Sequence, residues 1–158
     1  MTTSEPLTEI ADGLRLRATG VLDAADAYWA EDMEIWHSFD HRLQHIKGAL
    51  RAAHSRAKLA AFHGAMPSFE RVITMYTSPS TNAIIELTAW TGRMEHAPGV
   101  INADGVTISF KSVTIYTVRD GRIVRMDILD DPAASRTLAE LTAYGGMARP
   151  APAVPSSS

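Results

Sequence analysis

Three ionisable residues interrupt apolar stretches of the sequence, and each is of a type that moves protons. His37 lies in an apolar run that begins at Met33, while Glu86 and Asp127 each stand among aliphatic residues. An imidazole has an unperturbed pKa of about 6.5, so it takes or gives a proton near neutrality without much tuning. A carboxyl group on a cavity-facing strand is partly desolvated, which raises its pKa. These residues are therefore candidates for general acid/base chemistry.

Each candidate also has a structural explanation that the sequence leaves open. A histidine inside an apolar strand is often satisfied by a backbone carbonyl. Glu86 either lines a cavity or faces solvent between strands. Asp127 either assists His37 or forms an exposed ion pair with Arg125. Strand alternation places Asp127 on one face with Ile123, Arg125 and Leu129.

Histidine spacing raises a metal site as an alternative. His37, His41 and His45 would share one face of a continuous helix, and paired histidines four residues apart are a known zinc arrangement. A strand through His37 breaks this alignment, and no His-Glu-x-x-His motif is present. We therefore expect neither a metal ion nor another cofactor. The sequence contains no cysteine, which excludes disulfides, thiolate ligands and a cysteine nucleophile.

Composition limits the classes of partner. Hydrophobic residues make up 46% and charged residues 21% of the 158 residues, which is typical of one globular domain. The net charge of -3 provides no basic surface for nucleic acid. The N-terminal residues lack the features of a signal peptide, and no segment approaches the roughly 20 apolar residues that span a bilayer. We expect a cytoplasmic protein that binds neither nucleic acid nor membranes.

Apolar periodicity in the first half predicts helices with one strand between them. A helical stripe begins at Leu7, stops at Gly20 and resumes at Val21, so we predict two helical segments that end by Asp32. Large apolar residues over 33–39 then predict a strand. An alanine-rich helix is predicted from about His41 to His63, most strongly from Lys47 onward.

The second half changes to the alternation of strands. We predict strands over 69–76, 83–94, 106–119 and 123–129, with Asp120-Gly121 as a type I′ hairpin turn. A short terminal helix over 133–144 completes a single domain at residues 1–144, and residues 145–158 form a disordered tail. Helices followed by mostly antiparallel strands indicate an α+β fold, in which a strongly curved sheet encloses a concave apolar cavity.

The order of elements and several local motifs resemble the nuclear transport factor 2-like superfamily. This superfamily includes ketosteroid isomerases, limonene epoxide hydrolases and polyketide cyclases of the SnoaL type. The resemblance covers about residues 5–140 and implies a cone-shaped α+β fold, with N-terminal helices around an apolar pocket. Homodimers are common in the superfamily, so it also implies a homodimer. The matching features are Asp23, the segment 28–32, the helix after Gly48, the segment 118–124 and the pair Asp130-Asp131.

The resemblance assigns roles at some positions only. The general base of ketosteroid isomerases lies five residues beyond an aspartate like Asp32, and His37 occupies that position here. The arginine and aspartate of the hydrolases are not reproduced at Glu86-Leu87-Thr88. The tyrosine and second aspartate of the isomerase oxyanion hole have no secure match.

These observations lead to one main hypothesis and two alternatives. We expect a cofactor-independent enzyme that acts on a small hydrophobic molecule, such as a cyclic one, by proton transfer, as an isomerase, cyclase, dehydratase or epoxide hydrolase. His37 and Asp127 are the expected catalytic residues. The alternatives are a non-catalytic binding protein with the same cavity and a module that dimerises through the open face of its sheet. The residues expected to contact the substrate are Trp36, Glu86, Trp90 and Tyr116.

Overall fold

Two helices and six strands account for most of the chain that the structure describes. The computed structural model describes residues 4–38, 41–65, 70–93 and 107–130. Short 3-10 helices precede β1 and follow β3. The elements are α1 (Ser4–Ala18), β1 (Trp29–His37), β2 (Arg42–Lys47), α2 (Gly48–Ala65), β3 (Glu70–Ser78), β4 (Ala83–Arg93), β5 (Thr107–Arg119) and β6 (Arg122–Asp130).

The six strands form one sheet in the order β2-β1-β6-β5-β4-β3. Neighbouring strands are antiparallel except β1 and β6, which are parallel because the chain crosses from one half of the sheet to the other between them. Helix α1 packs on β3 and β4, and α2 packs on β1 and β2. This arrangement confirms the expected α+β fold, a cone-shaped and mostly antiparallel sheet wrapped by helices.

The two faces of the sheet differ in what covers them. We call the face under the helices the inner face, and the opposite one the outer face. Leu7, Ile10 and Leu14 of α1 are buried against the inner face, as their spacing predicted. The core residues of the sheet on this face include Met33, Ile35, Ile84, Tyr116 and Met126. The outer face exposes large apolar side chains: Val72, Tyr76, Leu87 and Leu129.

The second predicted helical segment is wrong for most of its length. Only the short 3-10 helix Asp26–Tyr28 forms, and β1 begins at Trp29, so that Glu31 and Asp32 lie inside a strand. Asp32 is paired with Lys47 of β2, and the Lys47 ammonium also donates to its carboxylate. Pairing with two neighbouring strands outweighs the local helical preference of this alanine-containing segment.

The predicted helix from His41 begins later than expected. Residues Arg42–Lys47 form β2, which pairs with β1 and alternates between exposed and half-buried side chains. Helix α2 then starts at Gly48, within the part that was most strongly predicted. A Cβ at Gly48 would lie 2.2 Å from the carbonyl oxygen of Ala30, so the close approach of α2 to β1 requires glycine there.

The four remaining strands confirm their predictions to within a few residues. Asp120 and Gly121 have φ values of 52° and 70°, as a type I′ turn requires. A bulge follows, because Thr117 pairs with Arg125 while Val118 pairs with Ile123. Ile123 is consequently buried, which corrects the expectation that it shares a face with Asp127.

Two expectations fall on residues outside the described ranges. They are the terminal helix over 133–144 and the tail over 145–158. The domain boundary at residue 144 therefore stays a prediction. Within the described part of the chain, no helix is both long enough and apolar enough to cross a membrane.

Candidate functional site

A buried carboxylate lies at the centre of the inner face. Glu86 is 3% exposed and alternates along β4 with Ile84 and Thr88. Its Oε1 accepts hydrogen bonds from Thr88 Oγ1 at 2.7 Å and from Arg71 Nη2 at 3.3 Å, and its Oε2 accepts one from Tyr116 Oη at 2.8 Å. Both carboxylate oxygens therefore have donors, as a buried charge requires.

Sheet register brings these donors together from three strands. Ile84 pairs with Tyr116 of β5, so Tyr116 is a diagonal neighbour of Glu86. Met75 of β3 pairs with Glu86, and Arg71 lies four residues earlier on the same face, from which its long side chain extends back to the carboxylate. Two residues that the sequence selected, Glu86 and Tyr116, are thus in direct contact.

Two further arginines reach the same interior from the helices. Arg17 occupies the last turn of α1, is 6% exposed and donates to the Ser55 hydroxyl of α2. Arg51 comes from the first turn of α2 and is partly buried. Their guanidinium carbons lie 5.6 Å and 5.4 Å from the ring centroid of the buried Trp29, within the range of cation–π attraction.

The electrostatics of this interior are dominated by burial and by an excess of positive charge. Burial lowers the pKa of Arg51 to about 10, and repulsion from Arg17 acts in the same direction. Burial also lowers the pKa of Arg71, although Glu86 opposes that shift. Burial raises the pKa of Tyr116, with a further increase from Glu86, so Tyr116 is a neutral donor. We call Arg17, Arg51 and Arg71 the arginine cluster; these three guanidinium groups face one carboxylate.

The arginine cluster retains unused donors. The Nε atoms of Arg17, Arg51 and Arg71 are buried and have no hydrogen-bond partner among the described residues, and the same is true of the Trp29 Nε1 atom. Buried donors of this kind are uncommon, since each carries a desolvation penalty of about 1–3 kcal/mol.

His37 shares the inner face with this cluster. It alternates along β1 with the buried Met33 and Ile35 and is itself half-buried. Register defines one row across the sheet from His37 through Ile128 and Thr114 to Glu86. Three strand spacings of about 4.8 Å separate the ends of this row by about 14 Å along the sheet. A ligand of moderate size would span that separation.

Asp127 and Trp36 are placed on the outer face. Asp127 accepts hydrogen bonds from Arg125 Nε at 3.0 Å and Nη2 at 2.9 Å, and Arg125 Nη1 donates to Glu34 at 3.0 Å. Trp36 pairs with Asp127 across the β1–β6 boundary, and its ring centroid lies 6.3 Å from that of His41. Neither residue is brought to Glu86, because strand alternation separates both from His37 and Met126.

The other candidate residues considered in the sequence analysis are Trp90, His41 and His45. The backbone of Trp90 lies in β4 opposite Arg71, but its side chain is outside the described part of the structure, so its role stays a prediction. His41 and His45 are exposed and lie beside or within β2 rather than on a helix. Among the described side chains, no group of three histidine or acidic residues is arranged to hold a metal ion.

The arginine cluster was not predicted from the sequence. A signal was present, since Arg17 stands three residues beyond Leu14 on the apolar stripe of α1 and Arg71 alternates with Ile73 and Met75. An arginine at a core position of a periodic pattern is a buried charge, and buried charges require partners.

The outer face carries an open groove of about 330 Å³. Its lining is mostly aliphatic, with the ammonium of Lys111 at one side. From the sequence we expected a homodimer that could form through the open face of the sheet, which is this outer face. The homodimer stays a prediction. The main apolar residues of the groove are Val72, Leu87, Val113 and Leu129.

Comparison with known families decides the family. The model of the SnoaL-like domain matches residues 11–126, which extend from α1 into β6. The chain belongs to the SnoaL-like family. This membership confirms the resemblance to the nuclear transport factor 2-like superfamily. No curated protein matches the sequence of this SnoaL-like protein.

Solved structures agree on the fold of the SnoaL-like protein. A candidate polyketide cyclase from Acidithiobacillus ferrooxidans is 17% identical, with a TM-score of 0.62 over 89% of this chain and 99% of that one. A candidate SnoaL-like polyketide cyclase from a Jannaschia species is 17% identical, with a TM-score of 0.55 over 90% and 94%. A candidate isomerase from Bacillus subtilis is 18% identical, with a TM-score of 0.56 over 90% and 97%. At these identities the similarity establishes the fold.

Proposed function

We propose that this SnoaL-like protein is a cofactor-independent enzyme that transfers protons within a small hydrophobic molecule bound at the inner face. The observation that carries the proposal is the position of His37, half-buried on the same face and in the same row as Glu86. Apolar side chains between them, including Ile128, suit a hydrophobic ligand body.

In the proposed mechanism, His37 is the general acid/base. The neutral imidazole removes a proton from a carbon next to a carbonyl group, and the electron pair moves onto the carbonyl oxygen. The imidazolium then returns the proton to another carbon in an isomerisation, or to an oxygen in a cyclisation or dehydration. The proton balance closes within the substrate and one side chain.

In this mechanism the arginine cluster holds the substrate and does not contact the reacting atoms. About 14 Å along the sheet separates His37 from Glu86, so the guanidinium groups and their unused Nε donors would bind a polar group at the end of the substrate far from the proton that His37 removes. Tyr116 and Thr88 hold the Glu86 carboxylate, which keeps Arg71 in place. Asp127 takes no part in this mechanism because Arg125 holds it on the outer face.

A non-catalytic binding protein is the second candidate. It is favoured by the contacts of Glu86, both of whose oxygens accept hydrogen bonds from protein donors, as expected of a structural network. In this alternative the interior binds the same class of hydrophobic molecule, and His37 contributes only a polar contact.

The proposal is tested by a binding and turnover screen of hydrophobic ketones, lactones and epoxides against wild type, His37→Gln and Asp127→Asn. We expect at least one compound to be converted by wild type and by Asp127→Asn, while His37→Gln binds it but converts it at least about 100-fold more slowly, which is roughly 2.7 kcal/mol of barrier. Binding without conversion would replace the enzyme by the binding protein. Equal turnover by His37→Gln would contradict the assigned general acid/base.

A further inference from the structure

The charge balance of the interior points to a negatively charged ligand group. Arg17 and Glu86 both act electrostatically on Arg51, and the same two residues act on Arg71. Tyr116 is neutral, so among these groups three guanidinium charges stand against one carboxylate. The described donors to Glu86 are Arg71, Tyr116 and Thr88, and the described contacts of Arg17 and Arg51 are with Ser55 and Trp29 instead.

The helix arginines are held without an acidic partner among the described residues. Arg17 is 94% removed from solvent, since it is 6% exposed, and it uses one nitrogen on a neutral hydroxyl. Arg51 contacts the face of Trp29 rather than a carboxylate. A buried charge that lacks a counter-ion costs several kcal/mol, so the placement of Arg17 gives up stability.

We infer that the arginine cluster binds a carboxylate, so that the substrate of this site is a small hydrophobic carboxylic acid. A guanidinium group presents a planar fork that matches the two oxygens of a carboxylate, and burial strengthens that pair. The Nε atoms of Arg17 and Arg51 and the Trp29 Nε1 atom supply further donors. With one carboxylate bound, three positive guanidinium charges would stand against two negative charges instead of one.

The surroundings favour a carboxylate over a more highly charged anion. The core on this face is apolar and includes Leu14, Ile35 and Met126, so it would not solvate a second negative charge. Arg51 is only partly buried, which places the arginine cluster within reach of a ligand that enters from solvent. This inference names the substrate class of the site proposed above and rests on that proposal for its catalytic meaning.

The test is calorimetric binding of benzoate, with benzamide as the neutral analogue of the same shape and inorganic phosphate as a second anion. We expect wild type to bind benzoate at least about tenfold more tightly than benzamide, a difference of roughly 1.4 kcal/mol. Equal affinity for the two compounds, or no binding of benzoate at about 10 mM, would overturn the inference. Phosphate that displaces benzoate with equal affinity would also overturn it, because the site would then be one for inorganic anions.

Variants assign the benzoate site to the arginine cluster. Arg51→Met should weaken benzoate binding at least about tenfold and leave benzamide unchanged, whereas the outer-face control Arg125→Met should change benzoate affinity less than about twofold. If Arg125→Met weakens benzoate binding and Arg51→Met does not, the inference is overturned. Should Arg51→Met fail to fold, the thermal midpoint of wild type decides: benzoate must raise it more than benzamide does at equal concentration.

A further variant separates this inference from the proposed function. His37→Gln should bind benzoate as wild type does, since it leaves the arginine cluster intact. Benzoate binding together with undiminished turnover by His37→Gln would contradict the proposed catalytic role and uphold the carboxylate site. If His37→Gln loses turnover but the protein does not bind benzoate more tightly than benzamide, the proposed catalytic role is upheld and the carboxylate site is contradicted.

Discussion

Two clusters of arginine and carboxylate residues lie on opposite faces of the same sheet, and their charge balances are opposite. On the inner face Glu86 pairs with Arg71, while Arg17 and Arg51 lie over Trp29, and burial lowers the pKa of Arg51 and of Arg71. On the outer face one arginine, Arg125, bonds two carboxylates, and its hydrogen bonds to Asp127 raise its pKa. The outer cluster satisfies itself, whereas the inner one does not.

The comparison teaches that residue type alone does not distinguish an ion pair from a ligand site. Asp127 and Glu86 each interrupt an aliphatic run, and each contacts an arginine. The side chains of Arg125 and Asp127 are 36% and 24% exposed, so water screens their attraction. Glu86 is buried, where neither water nor salt screens an unbalanced charge.

The largest expected difference between the inner and outer clusters is in the free energy of unfolding. Glu86→Gln removes the buried carboxylate that the described residues place beside the arginine cluster and leaves its ion pair with Arg71 broken, so we expect a loss of about 3 kcal/mol or more in the free energy of unfolding. The outer-face control Asp127→Asn should cost less than about 1 kcal/mol. Urea unfolding followed by circular dichroism measures both. Similar losses in the two variants would remove the distinction between the faces.

The expected difference between the two faces in catalysis is somewhat smaller, as a free energy, than the difference in stability. With a substrate from the screen, His37→Gln should lower kcat at least about 100-fold, roughly 2.7 kcal/mol, with little change in ligand affinity. Asp127→Asn should lower it less than about twofold. Steady-state kinetics of the two variants are the measurement. A larger loss in Asp127→Asn would move the chemistry to the outer face.

Tyr116 provides a pH-dependent test of the inner cluster. Tyr116→Phe removes the bond to Glu86 Oε2, and we expect a cost of about 1–2 kcal/mol near neutral pH. Because the folded-state pKa of Tyr116 is raised, its contribution is fully present below the unfolded value of about 10 and is lost as pH rises above it. The stability advantage of wild type over Tyr116→Phe should therefore narrow between about pH 9 and pH 11.

The matched control for that experiment is Tyr76→Phe, which removes a hydroxyl from an exposed side chain of the outer face. It should change the free energy of unfolding by less than about 0.5 kcal/mol. An advantage of wild type over Tyr116→Phe that widens with alkaline pH would contradict the assignment of a neutral, buried tyrosine.

The smallest expected effect is on the outer cluster itself. Arg125→Gln breaks the contacts to Asp127 and Glu34, but both pairs are partly solvated, so we expect a loss below about 1 kcal/mol that shrinks further at 1 M salt. Urea unfolding at two salt concentrations measures it. A loss comparable to that of Glu86→Gln would show that the outer cluster carries as much energy as the inner one.

The sequence predicted the strands more accurately than the segments between them. Long alternating runs such as β4 and β5 reveal themselves locally, because one face is buried and the other is not. Segments 29–32 and 42–47 were assigned to helices, because their strand state depends on pairing partners distant along the chain. Contacts of that kind leave no periodic signal in the segment itself.

The candidate site was predictable in part for the same reason. The sequence selected Glu86 and Tyr116, which are in contact, and the family resemblance selected His37. Alternation failed for Ile123 because a single extra residue at the β5–β6 bulge shifts the two strands. The arginine cluster combines residues from α1, α2 and β3, and only the folded chain brings them to one carboxylate.

The most direct test of the central claim, that the inner face is the ligand site, is a nuclear magnetic resonance titration of the arginine Nε–Hε signals. Benzoate added to wild type should shift the signals of Arg17, Arg51 and Arg71, whose Nε atoms have no hydrogen-bond partner in the described part of the chain, and leave that of Arg125 unchanged. Shifts confined to Arg125 and its outer-face neighbours would contradict the claim and place the ligand on the other side of the sheet.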